Sequence, residues 1–276
     1  MSALPRITLF VLCVLFGFTG CTLPQNADVT PLPSPLNPTT IQSATEPPTP
    51  TVTSDTWQLL LPGLEQRIYD AEGSAQLLVL RVDPSLFTFR AHYSPGDARP
   101  LDTWQAQLPD AEVIINANFF DEDNRVLGLL VADGQNFGVP YRDRGGLFYV
   151  QNGLPGIRSN VTQPYNGEVF EQAVQAFPML VLDGAQVYTN RSRTARRTAI
   201  AVDTQGRVIL LVTRRGGLSL AALSAFLVEA DMDIVRAFNL DGGGSTMMAV
   251  NAGETAFQVD TFDAVPVVLA VYARSG

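Results

Sequence analysis

Short apolar runs separated by turn residues dominate most of the chain, and this pattern predicts strands. The predicted strands are residues 77–82, 86–93, 113–115, 145–150, 179–182, 198–202, 208–213 and 234–240. Residues 203–206 are typical of a hairpin turn. The strands at 77–82 and 86–93 look like a pair joined around Asp83.

Helical periodicity is limited to two stretches. One is residues 101–108, and the other begins at Ser219, a typical N-cap, with Leu223 and Leu227 on one face. A strand with a polar end follows the second helix, an arrangement that is common in mixed sheets. We therefore expect an α+β fold, a strand-rich single domain with mixed β-sheets and a few packed helices.

The N-terminal residues predict export. Arg6 followed by the apolar run 7–18 has the charge and length of a secretory signal. Residues 18–21 resemble the box at which bacterial lipoprotein precursors are cleaved and lipidated, so residues 1–21 are interpreted as a lipoprotein-type signal peptide with Cys21 as the lipidation site. A simple membrane anchor is the alternative.

A proline- and threonine-rich segment follows the signal. Residues 22–54 carry only Asp28 and Glu46 as charges, and such a composition cannot bury a core. As an extended chain this tether spans roughly 100 Å. Residues 55–276 contain no comparable break or internal repeat and are interpreted as one domain, held outside the cytoplasm by the lipid anchor.

Composition excludes several function classes. A net charge of −9 and a sequence pI near 4.6 argue against nucleic-acid binding, and no protein partner is evident. All 18 basic residues are arginine, which excludes lysine-dependent chemistry. His92 is the single histidine, and Cys13 and Cys21 are the two cysteines, so multi-histidine zinc sites and a thiolate nucleophile in the domain are excluded.

The segment 239–246, Asn-Leu-Asp-Gly-Gly-Gly-Ser-Thr, is the strongest candidate for chemistry. It follows an apolar run, and consecutive glycines can aim several backbone N–H groups at one anion, with Asp241 at the mouth of the concavity. The absence of lysine and of a following helix excludes nucleotide-binding loops. A tight turn between strands is the alternative.

Two further clusters lie beside apolar runs. Asn116, Asn118 and Asp121 follow the strand 113–115, and the amides either brace a loop or hold a ligand. Arg197 precedes the strand 198–202, and a guanidinium can bind phosphate through two parallel hydrogen bonds.

Taken in order, four motifs resemble those of the phosphodiester glycosidase family: residues 116–121 (NANFFD), 177–184 (FPMLVLDG), 197–201 (RTAIA) and 239–246 (NLDGGGST). The resemblance covers about residues 77–272. This chain has Val-Pro-Val-Val at 265–268, where family members commonly carry an arginine and an asparagine.

The resemblance implies hydrolysis of the bond between a sugar's anomeric carbon and a phosphodiester oxygen. Asp241, Asp121 and Arg197 are the implied catalytic residues, with Asp241 as base or nucleophile. A spacing of about 5 to 5.5 Å between the two carboxyl groups would predict a retaining mechanism, and about 6.5 to 9.5 Å an inverting one. The residues implied to bind substrate are Asn116, Asn118, Thr198, Gly242, Gly243, Gly244, Ser245 and Thr246.

Two other functions remain open. One is a noncatalytic lipoprotein that binds phosphorylated glycan in the same pocket. The other is a phosphoester or peptidoglycan hydrolase with a metal held by Asp121, Asp183 and Asp241. The sequence requires no cofactor, although a divalent metal is compatible with it.

Overall fold

The computed structural model describes residues 56–71 and 73–274, so the predicted signal, the tether and Cys21 lie outside the described residues. The strands are β1 (Gln58–Leu61), β2 (Leu64–Ala71), β3 (Ala75–Val82), β4 (Phe87–Tyr93), β5 (Val113–Asn116), β6 (Leu130–Ala132), β7 (Gln135–Phe137), β8 (Gly146–Gln151), β9 (Leu154–Ser159), β10 (Gln172–Ala176), β11 (Met179–Leu182), β12 (Ala185–Gln186), β13 (Thr198–Asp203), β14 (Val208–Gly216), β15 (Ile234–Asn239), β16 (Met248–Ala252), β17 (Thr255–Val259) and β18 (Val267–Ala273). The helices are α1 (Leu101–Gln107) and α2 (Leu220–Glu229).

The strands form three sheets. The large sheet has the order β1-β2-β3-β14-β13-β15-β11-β12, and the two smaller sheets have the orders β7-β6-β10-β8-β9 and β17-β16-β5-β18-β4. Every strand pair among the described residues is antiparallel. The prediction of an α+β fold with mixed sheets is therefore wrong, because the domain is mostly β.

The connections made by the two helices explain why parallel strand pairs were wrongly expected. Helix α2 connects β14 to β15, which run in the same direction, but β13 lies between them and is antiparallel to both. Helix α1 connects β4 to β5 in the same way, with β18 between them. A strand-helix-strand pattern in sequence predicts parallel neighbours. Here a strand from elsewhere in the chain separates the two strands each time.

The central core lies between the three sheets. Large side chains from each sheet meet there, among them Leu80, Phe87, Phe148 and Phe238, all essentially inaccessible to solvent. Burial of this much apolar surface is the main stabilising contribution to such a domain.

Strand β3 is buried on both faces. Leu78 and Leu80 contribute to the central core, whereas Leu77 and Val79 belong to a second cluster that also contains Leu223 of α2. A strand between two apolar layers has no polar face, which explains why its sequence is a continuous apolar run.

The predicted elements are found close to their predicted bounds. Ser219 caps α2, because its hydroxyl accepts a hydrogen bond from the Ala222 N–H at 3.1 Å. The predicted pairing of the strands at 77–82 and 86–93 is wrong, since β3 pairs with β2 and β14 while β4 pairs with β18. The turn at Asp83 connects β3, in the large sheet, to β4, in the sheet that contains β5.

No helix within residues 56–71 and 73–274 has the length and apolar character needed to cross a bilayer.

Candidate active site

The candidate site lies where the large sheet meets the sheet that contains β5. Residues 240–247 carry the chain from the end of β15 in the first sheet to the start of β16 in the second. The Leu240 N–H donates to the Thr198 carbonyl (2.9 Å), and the Asp241 N–H donates to the Ala117 carbonyl (3.0 Å). Asp241 is therefore anchored to both sheets through its backbone.

The Asp241 carboxyl group is largely buried, and burial raises its pKa to about 6. Hydrogen bonds from the Ser245 hydroxyl and from the Gly242 N–H (2.8 Å to Oδ1) oppose this shift, while the negative charge of Asp263 adds to it. Asp241 can therefore exchange a proton near neutral pH, which is the property that acid-base catalysis requires.

The side chain of Asn116 is buried and holds the backbone of Asp241 in place. Its Nδ2 donates to the Asp241 carbonyl (2.6 Å), and its Oδ1 accepts from the Thr198 hydroxyl (2.9 Å) and the Met247 N–H (3.0 Å). Asn116 and Thr198 are both fully buried. The sequence left two roles open for Asn116, bracing a loop or holding a ligand, and this geometry favours the bracing role.

Asn118 is also a buried brace. Its Nδ2 donates to the carbonyls of Leu129 (3.0 Å) and Gln175 (2.9 Å) and more weakly to that of Leu127 (3.3 Å). These bonds hold the loop after β5 against β10.

The glycine segment forms a 3₁₀ turn at Gly243–Ser245 that engages most of its own amides. The Gly243 N–H donates to the Arg196 carbonyl at 2.8 Å. Two weaker bonds close the turn, from the Ser245 N–H to Gly242 (3.3 Å) and from the Thr246 N–H to Gly243 (3.4 Å). The predicted anion nest is thus reduced, among the described contacts, to the N–H group of Gly244.

A second loop holds the Gly244 carbonyl. This oxygen accepts from the Thr261 hydroxyl (2.7 Å), the Phe262 N–H (2.8 Å) and the Asp263 N–H (3.1 Å). A Cβ atom on Gly244 would lie 1.8 Å from Oδ2 of Asp263, so that carboxylate lies directly against the glycine. Asp263 is thus a second acid beside the glycine segment, and the sequence did not indicate it because it lies outside the four motifs.

Arg197 is a half-buried cation at the same site. Its Nε donates to the Leu218 carbonyl (2.9 Å), and one terminal nitrogen donates to the Arg193 carbonyl (2.5 Å). Burial lowers the pKa of Arg197 from its ordinary value, and no carboxylate among the described residues forms a salt bridge with it. A half-buried guanidinium without a counterion is suited to an anionic ligand.

Part of this arrangement lines one pocket of about 440 Å³, which we call the catalytic pocket. Its lining includes Arg197, Asp241, Gly242 and Gly243, together with four residues that were not predicted as site residues: Phe119, Phe177, Tyr188 and Asn239. Phe119, Phe177 and Asn239 stand inside the motifs and could have been found there, whereas Tyr188 lies in a loop without any pattern.

Only one of the two polar atoms of the Asn239 side chain forms hydrogen bonds with the described residues. Its Nδ2 donates to the carbonyls of Phe177 (3.1 Å) and Leu240 (2.6 Å), while its buried Oδ1 has no partner among the described residues. The Asn239 amide is therefore held in the pocket wall by its Nδ2, while its Oδ1 is shielded from solvent.

Asp121 is not brought together with Asp241. It lines a different cavity, and its Oδ1 accepts from the N–H groups of Asp123 (3.0 Å) and Arg125 (2.8 Å) to shape a turn. Asp183 lies in the β11–β12 turn, and its Oδ1 forms a salt bridge with a terminal nitrogen of Arg236 at 3.2 Å.

The hypothesis of a metal held by Asp121, Asp183 and Asp241 is therefore wrong in its geometry. The three acids line three separate cavities. Across residues 56–71 and 73–274, no group of three potential metal-binding side chains converges.

Comparison with known proteins identifies relatives of this chain. A model of the family described as phosphodiester glycosidase matches residues 109–272, which is more than half of the chain. The bovine N-acetylglucosamine-1-phosphodiester alpha-N-acetylglucosaminidase is 27% identical over 176 residues, which are 52% of this chain and 32% of that protein. The chain thus spans about a third of the length of this curated relative.

Solved structures share the fold. The zebrafish N-acetylglucosamine-1-phosphodiester alpha-N-acetylglucosaminidase catalytic domain, auto-inhibited by its pro-peptide, matches with a TM-score of 0.59 and 20% identity over 78% of this chain and 85% of that one. A hypothetical protein from Synechocystis matches with a TM-score of 0.58 and 19% identity over 76% of this chain and 62% of that one.

Proposed function

Because the chain belongs to the phosphodiester glycosidase family, we propose that its catalytic pocket hydrolyses the glycosidic bond of sugar-1-phosphodiesters. The family resemblance read from the four motifs is confirmed, and membership supports the class that we propose, a glycosidase acting on sugar phosphodiesters. One observation carries the proposal: the pocket combines a buried carboxyl group of raised pKa with a half-buried guanidinium that has no carboxylate partner among the described residues.

The substrate's phosphate binds Arg197 in this proposal. A phosphodiester carries one negative charge, which the guanidinium neutralises in a site of low dielectric constant. The same contact stabilises the phosphate as it leaves, because the departing group gains a second negative charge when the C1–O bond breaks. Strong acid catalysis is therefore unnecessary.

Asp241 acts at the anomeric carbon. We assign it as the base that removes a proton from a water molecule while the water oxygen forms a bond to C1 and the bonding electrons of C1–O pass to the phosphate. The products are the free sugar and a phosphomonoester. Attack by the carboxylate itself is the other route, and the anomeric configuration of the first-formed sugar separates the two.

The remaining walls suit a sugar ring. Phe119 and Phe177 line the pocket and offer apolar surface to its C–H groups. Asn116 and Thr198 act as positioning residues through the Asp241 backbone.

The setting of this activity is also a proposal. The signal pattern, Cys21 and the tether support a lipid-anchored bacterial protein whose domain acts outside the cytoplasm, on cell-envelope or exported glycans.

The test uses the conservative variant Asp241→Asn. An asparagine at 241 can still accept the Gly242 hydrogen bond but cannot take a proton, so release of sugar from N-acetylglucosaminyl and other sugar-1-phosphodiesters is expected to fall by about 10²–10⁴-fold. Unchanged turnover would remove Asp241 from the chemistry.

A noncatalytic glycan-binding lipoprotein is the second candidate. It is favoured by the last strand, where Val265, Val267 and Val268 are buried and apolar at the positions at which the family resemblance places an arginine and an asparagine. Tight binding of a sugar-1-phosphodiester without any release of sugar by the wild-type chain would establish this function instead.

A further inference from the structure

A second cavity of about 810 Å³ lies beside the catalytic pocket, and we call it the aromatic cavity. Tyr93, Phe137 and Tyr141 supply rings to its lining, Val139 stands on its rim, and Asp123 and Arg125 are charged. Apolar walls with a few polar groups at the edge are typical of ligand sites.

An aromatic wall separates the two cavities. Phe177 and Phe119 line the catalytic pocket, and their ring centroids are 4.8 Å apart. Tyr141 lines the aromatic cavity and contacts Phe177 edge to face at 5.4 Å. The cavities are therefore adjacent, with the rings of Phe119, Phe177 and Tyr141 between them.

The backbone keeps this wall in place. A Cβ atom on Gly128 would lie 2.6 Å from the ring of Tyr141, and the φ angle of Gly128 is +79°, so only glycine allows this approach without strain. Gln175 fixes the same tyrosine by accepting from its N–H (2.7 Å) and donating to its carbonyl (2.8 Å).

The order of the strands gives the direction in which a ligand extends. Arg197 precedes β13, Asn239 ends β15 and Phe177 stands just before β11, and these strands are consecutive in the large sheet. Neighbouring strands are about 4.8 Å apart, so Arg197 and Phe177 lie on opposite sides of Asn239. With the phosphate at Arg197, the sugar lies toward Phe177, and the far side of the sugar faces the aromatic cavity.

The charges of the aromatic cavity indicate what it accepts. Asp121, Asp123 and Arg125 give a net charge of −1, which repels a second phosphate or a carboxylate. Asp123 and Arg125 form an ion pair at 2.8 Å with both side chains well exposed, so each keeps hydrogen-bonding capacity toward solvent. Neutral hydroxyl groups can bond to both.

We propose that the aromatic cavity binds a neutral sugar unit attached to the non-phosphate side of the sugar that is cleaved. Pyranose rings have apolar C–H faces and peripheral hydroxyl groups, which match aromatic walls with a charged rim. The inference rests on the proposed function and narrows its substrate class, from monosaccharide to oligosaccharide 1-phosphodiesters.

Binding of neutral oligosaccharides that lack phosphate tests this cavity separately from catalysis. The full chain is applied to a broad microarray of neutral glycans, and the best ligand is then titrated by calorimetry. We expect neutral oligosaccharides to bind, and Val139→Trp to weaken binding by about tenfold or more, because the indole fills the rim of the cavity. Val139 is 78% exposed, so the fold tolerates the change.

Val161→Trp is the matched control, since Val161 is 61% exposed and lies outside the aromatic cavity. It should leave the affinity unchanged, whereas Arg125→Ala should lower it by removing a donor from the rim. Binding of no neutral glycan, binding of acidic glycans alone, or equal affinity of the Val139 and Val161 variants would overturn the proposal. Release of sugar from a monosaccharide 1-phosphodiester is measured in parallel and reports on the proposed function independently.

Discussion

Asp241, the proposed catalytic base, also contributes to the pH dependence of stability. Its folded pKa of about 6 lies above the ordinary value of about 3.9 for an unfolded chain, because burial disfavours the charged form. The folded state therefore holds this proton more tightly than the unfolded state. Its stabilising effect is complete below about pH 4 and is lost as the pH rises through about 6.

Asp241→Asn removes this ionisation. We expect the variant to be more stable than the wild type by roughly 2 kcal/mol at pH 7.5 and nearly equal to it at pH 4. Urea denaturation at the two pH values measures the difference. A stability gain of the same size at both pH values would contradict the assignment of a raised pKa to Asp241.

Asp263→Asn is expected to shift the pH profile of activity. Asp263 raises the pKa of Asp241 through its negative charge, so its removal should lower that pKa. If Asp241 acts as a base, kcat/KM falls on the acidic side of its pKa, and this limb should move to lower pH in the variant. Asp260→Asn, in the same loop, is the control and should leave the limb where it is.

The sequence identified the central acid but not its partner. Asp241 was predictable because an acid, glycines and hydroxyls follow an apolar strand. Asp121 was expected to be the second carboxylate because it follows another strand end, yet it shapes a turn at a different cavity. Asp263 reaches the site because the Thr261 hydroxyl and the N–H groups of Phe262 and Asp263 bond to the Gly244 carbonyl, a contact between loops that no local pattern encodes.

The elements around the pocket depend on close backbone contacts at the glycine segment. A Cβ atom on Gly242 would lie 2.9 Å from the Arg196 carbonyl, which also accepts the Gly243 N–H. Gly242→Ala therefore forces the backbone before β13 to move, and Arg197 moves with it. We expect stability to fall by about 1 to 2 kcal/mol and kcat/KM by about tenfold, chiefly through a higher KM.

Gly206→Ala is the control for this change. Gly206 has a φ of +78° in the hairpin at the other end of β13, so alanine there is strained to a similar cost without touching the pocket. Its thermal stability should fall while its kcat/KM is unchanged. Equal kinetic effects of the two variants would show that the glycine segment has no special influence on Arg197.

Both helices and eight of the 18 described strands were predicted, whereas the arrangement of the strands was not. Apolar runs and the cap at Ser219 are local signals, and the structure places elements there. Insertion of β13 between β14 and β15, and of β18 between β4 and β5, depends on pairing across long sequence separations. Period and propensity carry no information about such pairing, so the expected mixed sheets became antiparallel ones.

The whole protein is expected to combine an anchor, a tether and an independent domain. The described unit has its own core and contains the catalytic pocket, while the composition of residues 22–54 predicts a tether. Catalysis on a small soluble substrate should then be independent of the first 54 residues. Access to large envelope glycans should depend on them.

Cys21→Ser separates these contributions within the full chain. If Cys21 is lipidated, the wild type should incorporate a labelled fatty acid and sediment with membranes, and the variant should do neither. Its kcat/KM on a soluble sugar-1-phosphodiester should be unchanged, because the site lies wholly within the described domain. Cys13→Ser is the matched control and should still be labelled, since Cys13 lies inside the predicted signal. Equal labelling of wild type and Cys21→Ser would contradict lipidation, and a soluble wild-type protein would also contradict the simple membrane anchor.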